Sequence, residues 1–333
     1  MKLREVIFLV LLISMVQCGP SQRSQEDSIY LEMNAFVSLF EYDLQVLERE
    51  IINLGEEIKQ LYAGKHRVLA QNEIDEFEFK RGSMNNAGKD NPLASTIYIS
   101  DLATDKDGIS EMIVLTASLD KKFKGIVDRH DMVSQVYFNS NLHINRLYPP
   151  YDAMAMLTPQ LDLTTFNFYY LADEKNNPDA RPVWVDEIYI DPVGRGWMIS
   201  LIYPVYFENE LKMVLGFDIT LNAIIGNYLD KFDRNFVIVD ATGTLIAGKT
   251  RGIESLSLPP LKNHTYNQTI SSDSFRMEDY NLFRSKSQEV RKMASEIILA
   301  NQKNYLLKDY GLQVNILSER MSVLDWILLD LVF

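Results

Sequence analysis

At 333 residues the chain is long enough for one or two domains and a substantial buried core. Its composition, 47 % hydrophobic and 24 % charged, is that of a globular protein and excludes wholesale disorder. A net charge of −13 with no offsetting basic patch excludes nucleic acid as a partner, because phosphates would be repelled.

Lys2 and Arg4 precede the apolar run VIFLVLLISMV at residues 6–16. This run is too short to span a bilayer, which needs about 20 residues of helix. A basic start and a short apolar segment read as a secretory signal over residues 1–17. Cys18, the chain's only cysteine, closes the run in SMVQCGPSQ, which resembles a bacterial lipoprotein signal. The resemblance implies cleavage before Cys18 and lipidation there. An ordinary secretory signal with an incidental cysteine, or a short membrane anchor, is the alternative. Residues 18–27, with Gly, Pro and polar side chains, then form a tether.

From Ser28 the pattern changes. Phe40, Leu44, Leu47, Ile51, Leu54, Ile58 and Leu61 recur at alternating spacings of four and three, an apolar seam along one long helix over residues 28–66 that stops near Gly64. Such a seam either lies on the chain's own domain or pairs two chains as a homodimer. Residues 67–226 follow as a first unit. Short helix and strand pieces lead to the alternating strand VSQVYFNS and a Pro-Pro turn, and TTFNFYYL reads as a strand end. GWMISLIYPVYF, the three-residue turn ENE and LKMVLGFDIT make a hairpin, and LNAIIGNYLDKF a short helix. Residues 227–333 form a second unit. Its hairpin is FVIVD, the turn ATG and TLIAG; SKSQEVRKMASEIILANQKN is a helix; YGLQVNILSER and SVLDWILLDLVF are strands. Strands joined by tight hairpins, with helices between, indicate an α+β fold with antiparallel sheets.

The long helix, PVWVDEIYIDPVGRGWMISLIYPVY, LKMVLGFDITL, FVIVDATGTLIA and the strand around Trp326 together resemble the double Cache (dCache, PAS-like) sensor domains of bacterial extracytoplasmic receptors. The specific pieces are Tyr-x-Asp at 189–191, Pro-Val-Tyr at 204–206 and Gly-x-Asp-Ile-Thr at 216–220. The resemblance implies a long N-terminal helix plus two PAS-like (Cache) modules, membrane-distal and membrane-proximal, with sheets of about five strands. It also implies a ligand in the distal module. In relatives that bind amino acids, positions matching Tyr189, Asp191 and Asp218 hold the ligand's amino group. Their Arg-x-Trp-Tyr element, which grips a ligand carboxylate, is not reproduced here: the chain reads NNPDARPVWVD, with Arg181 and Trp184 spaced differently.

The residues support an amine site on their own chemistry. Trp184, Tyr189 and Asp191 lie on one strand, with 189 and 191 on one face, and Asp218 lies on an answering strand. Paired carboxylates with aromatic walls suit a cationic amine, through charge-assisted hydrogen bonds and cation–π attraction. A capping role for Asp191 and a strand-end hydrogen bond for Asp218 are the structural alternatives, and Trp197 and Tyr206 are assigned to the core. Gly-Arg-Gly at 194–196 is a turn and not a phosphate cradle, since a strand pattern follows it where a cradle needs a helix. The scattered histidines at 66, 130, 143 and 264 lack metal-ligand spacing, and TDKDG at 104–108 fails the calcium-loop pattern.

These readings describe a non-enzymatic, extracytoplasmic sensor that binds a small molecule, an amine or an amino acid, without a cofactor. A lipid at Cys18 anchors it to a membrane and an unidentified protein partner carries the signal. A receptor ectodomain cut from a longer chemoreceptor or sensor kinase, and a structural envelope lipoprotein without a ligand, are the other readings.

Overall fold

The computed structural model describes residues 22–71, 93–309 and 311–333. The signal expected at 1–17 and the lipidation expected at Cys18 fall outside the described residues.

A single helix, α1 (Gln22–Ala63), is 42 residues long. It begins six residues ahead of the expected Ser28, inside the stretch read as a tether, and Gly64 interrupts it as expected. The seam from Phe40 to Ile58 is buried, and the same stripe continues backwards through Val37, Phe36, Met33 and Ile29. Of the two uses open to that seam, the structure shows burial against the chain's own sheets: α1 lies on β5 (Trp197–Phe207), β6 (Glu210–Thr220), β10 (Leu312–Arg320) and β11 (Trp326–Val332). A pairing of two chains would need another face of the helix.

The first sheet contains β1 (Thr96–Ile99), β2 (Gln135–Ser140), β3 (Ile144–Tyr148), β4 (Val183–Ile190), β5 and β6, in the order β1-β3-β2-β6-β5-β4. Two helices, α2 (Lys106–Leu115) and α3 (Leu119–Arg129), precede β2. Asp105, in the rejected calcium-loop pattern, caps α2 by accepting the Gly108 N–H at 2.9 Å. The second sheet contains β7 (Phe236–Asp240), β8 (Leu245–Gly248), β9 (Asn304–Asp309), β10 and β11, in the order β8-β7-β11-β10-β9. Neighbouring strands in both sheets run antiparallel. The chain is therefore an α+β protein with a long N-terminal helix and two antiparallel sheets, the architecture that the double Cache resemblance implied.

Three local expectations differ. The β5–β6 turn has two residues, Glu208 and Asn209, both with positive φ (53° and 63°), and Phe207 pairs with Glu210. That left-handed geometry matches the twist of the flanking strands, which a three-residue turn would not require. TTFNFYYL is not a strand end: Leu163–Thr165 and Asn167–Tyr170 are short helical turns, the first started by Asp162 accepting the Thr164 N–H at 3.0 Å. The expected helix at 285–304 stops at Leu299, and Asn304–Asp309 is the edge strand β9.

Helix and sheets approach closely. A Cβ on Gly55 would stand 2.5 Å from a ring carbon of Tyr203, so glycine lets α1 rest on β5. Phe40 stacks on Trp326 of β11 at 6.1 Å between centroids. Leu47→Ala is expected to cost about 2–5 kcal/mol through lost burial and a cavity. Urea unfolding checks this, and a loss well under about 1 kcal/mol would mean the stripe is not the core of the fold.

Candidate ligand-binding cavity

Alternation along the strands gives the first sheet two different faces. Val136, Phe138, Ile199, Leu201, Leu215 and Phe217 point to the apolar core that includes α1. Gln135, Tyr137, Ser200, Gly216 and Asp218 lie on the other face. Pairing puts Gln135 of β2 and Ser200 of β5 on either side of Asp218 in β6. The chain between β3 and β5 lies over this row and borders a narrow, partly open cavity of about 40 Å³. That is room for a few water molecules. Its floor is Gln135, Tyr137, Asn139, Asn145, Tyr189 and Asp218. Its cover is mainly apolar, with Leu157, Leu161, Leu163, Phe166, Phe168 and Val193.

Tyr189, Asp191 and Asp218 all line this cavity. Trp184 does not. It pairs with Leu201, so it points to the helix face, where its indole N–H donates to Glu48 of α1 at 2.8 Å. One residue of offset along the strand decides this. Trp197 is half-buried and meets Phe275 edge-to-face at 5.4 Å, and Tyr206 is also half-buried. Arg181 is exposed and pairs with Asp179 at 3.0 Å.

The carboxylates differ in what they already hold. Asp191 organises the Gly-Arg-Gly turn: its oxygens accept the Val193 N–H at 3.0 Å and the Arg195 N–H at 2.9 Å. Gly194 and Gly196 supply the positive φ values that turn needs. Asp218 is 2 % exposed and accepts hydrogen bonds from the Ser200 hydroxyl and the Gln135 side-chain amide. Since the single Ser200 proton goes to Asp218, the Tyr189 hydroxyl donates to Ser200 Oγ. The result is a chain of bonds from Tyr189 through Ser200 to Asp218 and Gln135.

One polar atom of this floor, Gln135 Oε1, has no hydrogen-bond partner, while the Tyr137 hydroxyl sits within reach of Asp218, Ser200 and Tyr189. Tyr137 lies over Gly216, where an added Cβ would sit 2.1 Å from its ring. This accounts for Gly-x-Asp-Ile-Thr: Gly216 admits the ring, Asp218 enters the cavity, and Thr220 caps the helix α4 (Leu221–Asn227) by accepting the Ala223 N–H at 3.2 Å.

Burial pushes the Asp218 carboxyl up to about 7, with the Asp191 charge adding to the rise and the bonds from Ser200, Gln135 and Tyr137 opposing it. Tyr137 and Tyr189 are raised well above the usual phenol range, also by burial first. Arg195 is the nearby cation, and its guanidinium donates to the Pro149 carbonyl at 2.8 Å.

No protein-family model and no curated protein matches the chain. Solved structures do. The ligand-binding domain of the Pseudomonas fluorescens chemoreceptor CtaA in complex with L-valine is 12 % identical, with 70 % of this chain and 85 % of that chain covered and a TM-score of 0.43. The ligand-binding domain of the Pseudomonas aeruginosa PAO1 amino acid chemoreceptor PctB in complex with L-Gln is 13 % identical, covering 86 % and 89 %, with a TM-score of 0.42. The sensory domain of the Campylobacter jejuni chemoreceptor Tlp3 (CcmL) with isoleucine bound is 12 % identical, covering 94 % and 97 %, with a TM-score of 0.40.

Sequence reading missed Gln135, Tyr137 and Ser200. Each is one polar side chain in an apolar strand, and only the register across β2, β6 and β5 brings them to Asp218.

The raised Asp218 carboxyl predicts a pH dependence. The folded chain holds a proton that the unfolded chain releases near pH 4, so this stabilisation is full below about pH 4 and is lost as pH rises through about 7. Charged and titratable groups around it are Asp191, Arg195, Tyr137 and Tyr189. Urea unfolding across this range should show the native chain losing stability relative to Asp218→Asn as pH rises. A pH-independent difference between the two would mean the carboxyl is ionised throughout.

Proposed function

We propose that the chain is an extracytoplasmic sensor that binds a small polar molecule in the cavity of its first sheet. The observation that carries this reading is Asp218: a buried carboxylate beside a second carboxylate, with the unpartnered Gln135 Oε1 next to it, in a hollow roofed by apolar side chains. Structural burial of a carboxylate ordinarily comes with a cation or a full set of bonds. Here, among the described residues, no cation lines the cavity, and Gln135 Oε1 is left without a donor.

The ligand enters by displacing the cover and holds it to the sheet when bound. Strain on the sheet passes to α1, which is bonded to both sheet units. On the first side are the Trp184–Glu48 bond and the Gly55–Tyr203 contact. On the second, Glu41 accepts the Val323 N–H at 3.1 Å and the Ser322 hydroxyl at 2.9 Å, and the Tyr30 hydroxyl donates to the Lys303 carbonyl at 2.7 Å. A change in the bound population of the first unit thereby biases the position of the helix. Lipid at Cys18 keeps the chain at a membrane, where a partner protein reads that position.

A thermal-shift screen with amines, amino acids, carboxylates and purines tests the reading. A ligand at 100 times its dissociation constant adds about 2.7 kcal/mol of stability. The expected result is a hit that Asp218→Asn abolishes. A flat screen would favour a structural envelope protein, and conversion of the hit into a new compound would favour an enzyme. Separately, Cys18→Ser is expected to release the chain from the membrane fraction; unchanged membrane retention would contradict the lipid anchor.

A further inference from the structure

We propose that two copies of the chain pair through the β9 edges of their second sheets, antiparallel about a two-fold axis at Leu306. The pairing stands whatever the cavity of the first sheet binds.

A strand at the end of a sheet carries a row of unpaired N–H and C=O groups, and proteins ordinarily blunt such a row. Of the four sheet ends here, β1, β4, β8 and β9, three are blunted. All four residues of β1 are buried, and so are all four of β8, whose pairing with β7 also shifts register. A register shift between Val185 and Tyr189 breaks β4. The fourth end, β9, pairs with β10 without a shift from Asn304 to Asp309, and of its six residues only Leu307 is buried. The Ser318 N–H donates to the Lys303 carbonyl at 2.9 Å, which sets the phase of this ladder. Residues 305, 307 and 309 therefore turn their backbone groups to β10, and Asn304, Leu306 and Lys308 turn theirs to the open edge. Among the described residues no further strand lies beyond them.

The segment is complementary to itself. Antiparallel pairing centred on Leu306 sets residues equally far from it in sequence opposite each other. Leu306, 45 % exposed, meets Leu306 of the second copy on one face of the joined sheet. Asn304 meets Lys308 of the second copy, and Lys303 meets Asp309 of the second copy, each twice by symmetry. Lys303 holds Glu319 of its own chain at 2.9 and 3.0 Å, so the second carboxylate extends an ion pair already in place. Neighbouring centres lose this match. A centre at Leu307 sets Leu306 against Lys308 and Tyr305 against Asp309, and a centre at Tyr305 sets Leu306 against Asn304. Centres between two residues would oppose side chains that point to different faces. The Lys303 carbonyl also accepts the Tyr30 hydroxyl at 2.7 Å, so α1 is tied to the paired edge.

Sedimentation of the full chain from micromolar to millimolar concentration tests the pairing, at about 0.15 M salt, which screens the repulsion between two chains of net charge −13. One strand edge is a small contact, so a reversible dimer with a micromolar or weaker dissociation constant is expected. Leu306→Pro removes one outward N–H and no bond to β10, and should abolish the dimer while circular dichroism keeps the native spectrum. Asp309→Lys sets like charges opposite each other twice and should weaken the dimer by about tenfold, which decides the matter if Leu306→Pro does not fold. Disulfides in a Cys18→Ser background read the register. Cα atoms of a hydrogen-bonded antiparallel pair lie about 5.5 Å apart, within disulfide reach, so Leu306→Cys should cross-link two chains in air. Lys308→Cys, two residues further along the same edge, falls beyond that reach and should not. A chain that stays monomeric throughout overturns the proposal and leaves the edge to a strand of another protein. So does a dimer that Leu306→Pro, natively folded, or Asp309→Lys leaves intact, and so does equal cross-linking at 306 and 308.

Discussion

Everything in this structure depends on one apolar stripe. The helix from Gln22 to Ala63 buries a row running from Ile29 to Ile58 against two separate sheets. No short helix could reach both, at 1.5 Å of rise per residue. Because the stripe is used on both sheets, the helix must stay straight and close-packed. Gly55 beneath Tyr203 and Phe40 against Trp326 show how little room remains. Interiors packed this tightly transmit displacement rather than absorb it. The polar bonds at Glu48, Glu41 and Tyr30 sit at the rim of the stripe and fix its register.

That constraint also explains where the cavity lies. One face of the first sheet packs into the core that includes α1, with Arg146 buried there against Asp120, and the opposite face carries a row of polar side chains. Gln135, Ser200 and Asp218 occupy it in one cross-strand row. The segment between β3 and β5 covers them without filling the space. A carboxylate held there is close to balance between its charged and neutral forms. Small changes in what the cavity contains therefore alter its charge.

Much of the fold was legible in the sequence because periodicity reports burial directly. Phe40, Leu44, Leu47, Ile51, Leu54 and Ile58 repeat at helix spacing and are all buried. The hairpins β5–β6 and β7–β8 were visible as alternating or continuous apolar runs around turn residues. What failed was local or cross-strand. In β9 only Leu307 is buried, so an edge strand left almost no period to read. The helical turn at 163–165 is set by the Asp162 side chain, a short-range bond that aromatic content concealed. Within the site, Tyr189, Asp191 and Asp218 were legible, but Trp184 was assigned to the same group although its strand position turns it toward α1. Ser200 and Gln135 could not be found without the register, since nothing in either strand marks its single polar residue as a partner of Asp218.

The central claim is that Asp218 meets the small molecule proposed to bind in this cavity. Infrared difference spectroscopy at about pH 6, below the raised carboxyl midpoint, reads that carboxyl directly. On adding a ligand found by the thermal-shift screen, the account predicts a shift of the Asp218 carboxyl bands, with no such change in Asp218→Asn. Carboxyl bands that stay unchanged while that ligand is bound would contradict it.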